Sequence, residues 1–166
     1  MRLAFTSGLM RTTHFDDEMR QLADRHYSRR TVGARQFLYN GRKLVLRNAE
    51  GTVLFGWMYP QEEMRMDGMK GYNCAIFRNE SKRKASEIIL EAERWAFERW
   101  GPNRLYTYID PTKTKVIKVH GRRVIGFAFI KAGWKPLVRL DGTPRTSKDG
   151  KHILVKLWHP SVKGHS

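Results

Sequence analysis

The stretch from residue 72 to residue 101 limits what this chain can fold into more than any other. "YNCAIF" (72–77) is an apolar, strand-like run that stops at Arg78. The charged cluster "RNESKRK" follows, and a long helical pattern begins after it. In "ASEIILEAERWAFERWG" the residues Ala85, Ile88, Ile89, Ala92, Trp95, Ala96 and Trp100 form one apolar stripe. Gly101-Pro102 ends it. A strand feeding an amphipathic helix needs a sheet under that helix. It also puts a charged loop at a strand end beside a helix N-terminus, where unpaired N–H groups and a partial positive charge suit an anion.

The rest of the chain supplies the sheet. "MRLAFT" (1–6) reads as a short opening strand. "HFDDEMRQLADRHY" (14–27) has helical spacing through Phe15, Met19, Leu22, Ala23 and Tyr27, with Thr13 as the expected cap. "SRRTVGARQFLYNGRK" (28–43) reads as a basic loop. Residues 43–59 read as a hairpin turning at "NAEG". A polar connection (60–71), the 72–77 strand, helix 85–100 and a strand "RLYTYID" (104–110) follow. A basic loop (111–123), a short helix within 124–133 and two last strands, "WKPLVRL" and "KHILVKLW", complete the order. This predicts a single α/β domain over residues 1–160, a mixed, mostly antiparallel sheet with helices on both faces, and a loose tail at 161–166.

Charge narrows the partner. There are 32 Lys+Arg against 16 Asp+Glu, a formal net charge of +16. That excess points to a polyanion, with nucleic acid first. The cations are spread along the chain rather than gathered on one amphipathic helix, which argues against a membrane surface. No stretch is apolar enough to span a bilayer. The single cysteine, Cys74, excludes an internal disulfide and a cysteine zinc cluster, and its apolar neighbours suggest a buried thiol. A reduced, cytosolic setting fits.

Four stretches carry candidate chemistry. Arg78 and Asn79 stand at a strand end, where open α/β sheets bind ligands. Arg78 suits a phosphate or carboxylate and Asn79 a base edge or amide; alternatively Asn79 or Ser81 caps the helix. "RHYSRR" (25–30) crowds His26, Tyr27, Ser28, Arg29 and Arg30 together. His26 suits a base, Tyr27 a stacking platform for a flipped base, and the arginines phosphates; the plainer reading is a cationic helix end. Alternation puts Tyr106, Tyr108 and Asp110 on one strand face, with Asp110 placed to take a proton or to orient His26, or simply to form an Asp-Pro turn. Lys113, Lys115, Lys118, Arg122 and Arg123 make a basic element suited to a DNA backbone. Trp57, Trp95, Trp100 and Trp134 read as packing residues.

The element order resembles the GNAT acyltransferase fold, in which a fourth strand leads through a loop into a long helix and the loop holds the coenzyme A pyrophosphate. "GFAFIKAGW" (126–134) echoes that family's late region. "DRHYSRR", "KLVLRN", "FGWMYP", "YNCAIFRNE", "ASEIILEAERWA" and "LYTYIDP", taken in order, resemble the phage Mom-type DNA modification proteins and their GNAT-like relatives. The resemblance implies a transferase acting on double-stranded DNA in the cytoplasm of an infected bacterium, with an anti-restriction role. It implies a carbamoylmethyl group added to the N6 amine of adenine; for such a reaction the stretches above offer His26, Tyr27, Asn79 and Asp110 as catalytic candidates. Ser28, Arg29, Arg30, Arg78 and Tyr108 are then candidates for holding substrate. The cofactor stays open. Acyl-CoA is implied by the superfamily, whose loop has glycines that 78–86 lacks, and iron by the family, with no ligand pattern in this sequence. Two other readings stand beside this one: an acyl-CoA-dependent N-acetyltransferase of a protein or RNA amine, and a basic nucleic-acid-binding protein without chemistry.

Overall fold

The structure is a computed structural model that describes residues 8–26, 31–38, 41–59, 70–114 and 116–157. Within them run β1 (Leu9–Thr12), α1 (Asp17–Asp24), β2 (Arg42–Asn48), β3 (Val53–Tyr59), β4 (Tyr72–Asn79), α2 (Ala85–Trp100) and β5 (Leu105–Ile109). β6 (Val116–Val119), β7 (Arg122–Ile125), α3 (Phe127–Lys131), β8 (Lys135–Pro136) and β9 (His152–Lys156) complete the order. Seven strands form one sheet in the order β1-β2-β3-β4-β5-β9-β8, and β6-β7 is a separate ribbon. Every pairing is antiparallel except β4 with β5. No helix of the described residues is long and apolar enough to cross a membrane.

Alternation sends residues to two faces, and each face has its own cover. Leu44, Leu46, Phe55, Trp57, Tyr72 and Leu105 meet Ile88, Ile89, Ala92 and Ala96 of α2, with Phe129 of α3. On the opposite face Val45, Leu54 and Ile76 meet Met19, Leu22 and Ala23 of α1, with Phe37 and Leu38. Buried polar groups tie the layers together. Trp57 Nε1 donates to the Ala92 carbonyl at 2.8 Å. Glu93, buried on α2, accepts from Trp134 Nε1 and Lys156 Nζ, both at 2.8 Å.

The parallel pair is short. Tyr72, Asn73 and Cys74 pair with Leu105, Tyr106 and Thr107, and the register goes no further. Beyond it, among the described residues, β4 pairs only with β3 and β5 only with β9. The Thr107 hydroxyl donates to the Cys74 carbonyl at 2.9 Å, where the backbone ladder stops. A β-bulge sits immediately above that point. Gly56 pairs with Ile76 and Trp57 with Cys74, so Ala75 is an extra residue. An extra residue reverses the alternation beyond it. Cys74 therefore lies on the α2 face and Ile76 on the α1 face.

Several expectations are corrected. Strand 1–6 lies outside the described residues, and the first strand seen is β1. α1 is shorter than 14–27, and its cap is Asp16, which accepts from Met19 N, not Thr13. β4 does not stop at Phe77 but continues through Arg78 to Asn79, because Leu54 and Val53 of β3 still pair with them. Lys84 is the N-cap of α2, without a side-chain bond, so neither Asn79 nor Ser81 fills that role. The basic stretch 111–123 is not wholly a loop. It contains β6 and the start of β7, joined at His120-Gly121, both with positive φ (51° and 79°). Trp57 and Trp134 are buried and Trp95 and Trp100 pack against the same core, as expected.

Gly126 links the ribbon to α3 with φ 72°, and a Cβ there would lie 2.5 Å from Ile109 Cδ1 and 2.6 Å from Leu154 Cδ1. Gly126→Ala is expected to cost about 2–4 kcal/mol, combining the left-handed penalty with overpacking. Urea unfolding checks this; an unchanged midpoint would show that α3 is not seated as described.

Candidate functional site

The strand directions collect the candidate segments at one edge. β4 and β5 run parallel, so both end there. His152 opposes Ile109, so the long β8–β9 connection also lies there. The β6–β7 ribbon leaves from the end of β5, and the β2–β3 turn closes beside Asn79, which pairs with Val53. α1 brings its C-terminal end to the same edge, where Arg25 reaches Glu80.

The bulge decides what meets there. Past it, Phe77 and Asn79 point to the α2 face, and Arg78, opposite Leu54, points to the α1 face. Without the extra residue Arg78 would lie on the far side of the sheet from α1. Arg78 Nε donates to Glu80 Oε2 at 2.8 Å, and Arg78 Nη1 donates to the Arg25 carbonyl at 2.9 Å. Arg25 grips the same carboxylate with Nε at 2.8 Å and Nη2 at 2.9 Å. One carboxylate thus holds two guanidiniums and leaves the cluster with a net positive charge. The hydrogen bond from Arg25, with that from Arg78, holds the Glu80 carboxyl down to about 2.

His26 sits inside this cluster, half-buried, with its ring hydrogen-bonded to the Phe77 backbone. Burial, reinforced by the Arg78 charge, holds its pKa down to about 4, against the Phe77 bond, which favours the charged form. The ring is neutral at pH 7. A neutral imidazole has one N–H donor and one acceptor nitrogen. With the donor on the Phe77 carbonyl, the second nitrogen is the acceptor.

The remaining candidates divide. Asn79 organises the loop: its Oδ1 accepts from Ser81 N (2.9 Å) and Ser81 Oγ (2.5 Å), and its Nδ2 donates to the Arg83 carbonyl (2.9 Å). Asp110 closes a turn by accepting from Thr112 N (2.9 Å) and Thr112 Oγ1 (2.6 Å). Those bonds, with Lys113 and Lys151 nearby, hold its carboxyl below the usual range. Tyr108 is half-buried on the α1 face, edge-on to Tyr106 with ring centroids 5.8 Å apart. Lys113 and Lys118 are exposed, Lys118 on the ribbon opposite Arg123, and Arg122 opposes Val119. Tyr27, Ser28, Arg29, Arg30 and Lys115 lie outside the described residues. The Cys74 thiol is buried and its pKa is pushed up by that burial.

Two features went unread in the sequence. Arg25 and Glu80 form the clamp that joins the two motifs, and the only signal was an acid isolated within "RNESKRK". The bulge at Ala75 left no signal. Among the described residues, no three His, Cys, Asp or Glu side chains gather in a group able to hold a metal. Away from this edge, a groove of about 430 Å³ on β1 and β2 is lined by Arg11, His14, Phe15 and Lys43 among others. Compared with known proteins, the chain matches no family model, no curated protein and no solved structure.

Both depressed pKa values act in the same direction. The Glu80 contribution is complete above its ordinary 4.5 and is lost as pH falls toward 2. The unfolded chain protonates His26 from about 6.5 downward, whereas the folded chain resists until about 4, so stability falls across that window. An NMR titration of the His26 ring is expected to give a value near 4 in the wild type and a higher one in Arg78→Ala. A wild-type midpoint near 6.5 would show that the ring is solvated and the cluster open.

Proposed function

We propose that this chain is a GNAT-like transferase that modifies a base in double-stranded DNA, adding a small group of the Mom-type carbamoylmethyl kind to the N6 amine of adenine. The observation that carries the reading is the meeting of Arg25 and His26 with Arg78 and Glu80 past the last pair of β4 and β5, at the sheet edge from which the β6–β7 ribbon and the β8–β9 connection also leave. The sheet order supports the GNAT part: one parallel pair among antiparallel strands, with its first strand feeding a charged loop and a long helix. The net charge of +16 supports the DNA part.

The chemistry asked of the site is modest and specific. The N6 lone pair is delocalised into the ring and the amine is paired within duplex DNA, so the base must be flipped out and its proton accepted. In this reading the base enters beside His26 and Tyr108. N6 attacks the electrophilic carbon of the donor, the donor's leaving group departs with its electron pair, and the N6 proton passes to the acceptor nitrogen of His26. The positive Arg25–Arg78–Glu80 cluster lies where negative charge on a phosphate or leaving group would collect.

A second reading has its own support. The N–H groups of Ala85 and Ser86 precede the first helical bonds of α2, which Glu87 and Ile88 make to Lys84. With Lys82 and Lys84 exposed beside them, they fit a pyrophosphate. If acyl-CoA binds, these groups would hold it, and it would supply an activated acyl carbon to an amine. The loop itself offers less, because the N–H groups of Glu80, Ser81 and Arg83 are already bonded to Thr52, Asn79 and Ser81. For the iron that the family resemblance implies, no group of three His, Cys, Asp or Glu side chains is seen among the described residues.

Expression in a bacterial host followed by nucleoside mass spectrometry of its DNA tests the proposal. A new adenine-derived nucleoside is expected with the wild type and is expected to drop at least about a hundredfold with His26→Ala, the usual scale for losing a general base. No new nucleoside in several hosts would sink the reading, and tight acetyl-CoA binding by calorimetry would favour the second.

A further inference from the structure

The β8–β9 connection is built as a projecting arm rather than a slack loop. Leu137 N donates to Ile153 O and Arg145 N to Leu137 O, both at 2.8 Å, and Val138 bridges Pro144. The tip is closed by Arg139 N to Thr143 O (2.8 Å) and Gly142 N to Arg139 O (2.9 Å), with Gly142 at φ 85°. Asp141 Oδ1 locks it by accepting from Thr143 N (2.9 Å) and Thr143 Oγ1 (2.6 Å). At the root, Leu137 packs into the cluster of Tyr106, Tyr108 and Ile153.

Leu140 stands at the tip, with a relative exposure of 110%, and Val138 below it has 54%. A single exposed leucine is ordinary by itself. This one is held out by a bonded turn, at the edge that carries the candidate site, between Arg139 and Arg145 along the arm. Residues 135–151 contain five basic residues against two acidic ones, Asp141 and Asp149. Both carboxylates are already engaged: Asp141 by Thr143 with Arg139 nearby, and Asp149 by Ser147 and Lys151. A cationic arm with an apolar tip matches duplex DNA. Arginines meet phosphates, and an apolar side chain can enter between base steps, where it replaces stacking lost to unpairing.

We propose that this arm is a wedge for duplex DNA: Leu140 enters the base stack beside the target nucleotide and fills the gap that its flipping leaves, while Arg139 and Lys148 hold the flanking phosphates. The inference rests on the DNA reading above and adds how the duplex is opened. It is tested by measuring binding of the whole chain to two duplexes, one intact and one with a single abasic site. A 2-aminopurine beside that position reports unstacking. The wild type is expected to prefer the abasic duplex several-fold and to raise 2-aminopurine fluorescence in the intact one. Leu140→Ala, a change at a fully exposed position, should lose the preference and the fluorescence rise while keeping salt-dependent binding to intact DNA. Arg139→Ala should weaken binding to both duplexes alike and reduce the salt slope by about one ion. Leu140→Ala with the preference and the rise intact would overturn the wedge, as would a wild type that binds intact DNA without either. A wild type that binds neither duplex would overturn the DNA reading, and the wedge with it.

Discussion

Two parallel strands that pair for three residues and then part set the edge at which Arg25, His26, Arg78 and Glu80 meet. Cys74 and Thr107 are the last pair, and the Thr107 hydroxyl takes the carbonyl that a longer ladder would have used. Above that point each strand is held by its outer neighbour only. The bulge at Ala75 bends β4 and reverses its faces in the same place. Because of that reversal Arg78 joins α1 rather than α2. The strands part where β4 carries its extra residue, and that residue delivers Arg78 to the face that holds His26.

Electrostatics then holds the cluster in place without making it a large source of stability. Exposed ion pairs contribute little on their own. The bidentate grip of Arg25 and the shared use of Glu80 instead fix the direction in which α1 ends, and with it the place of His26. The polar contacts that would cost most to break lie elsewhere. Glu93, buried under α2, is matched to Lys156 and Trp134, and removal of either partner would leave a buried charge or donor uncompensated. Arg47 plays a similar part under α1, bonding Asp16 at 3.0 Å and Glu18 at 2.9 Å. The scaffold is therefore pinned away from the site, and the site edge is left polar and projecting.

The sequence was most readable where periodicity was long. Helix 85–100 has the bounds of α2, and six of its seven stripe residues (all but Ala85) belong to or pack on the core, while the hairpin at 43–59 matches β2 and β3 to within one position at its start. Both signals repeat over many residues and survive local exceptions. The bulge is one residue, and nothing distinguishes Ala75 from a regular strand alanine. The ribbon was hidden because Lys118, Arg122 and Arg123 broke the apolar run that marks a strand, although "VIKVHGRRVI" brackets a turn dipeptide symmetrically. The edge location of Arg78, Asp110 and the basic element followed from where strands end. What Asn79 and Asp110 hold did not follow from it. Both turned out to bond within their own turns, which is the local competition that Asn and Asp side chains always offer.

The proposal turns on one spatial arrangement, in which the α1 end, the Arg78–Glu80 segment, the β6–β7 ribbon and the 137–147 arm would face one DNA duplex together. Backbone amide chemical shifts followed by NMR during titration with a short duplex measure that directly. Shifts gathered at Arg25, His26, Arg78, Lys118 and Leu140, with the α2 face quiet, are the expected result. Shifts centred instead on the Arg11–Phe15 groove and Lys43, or spread evenly over the surface, would contradict it.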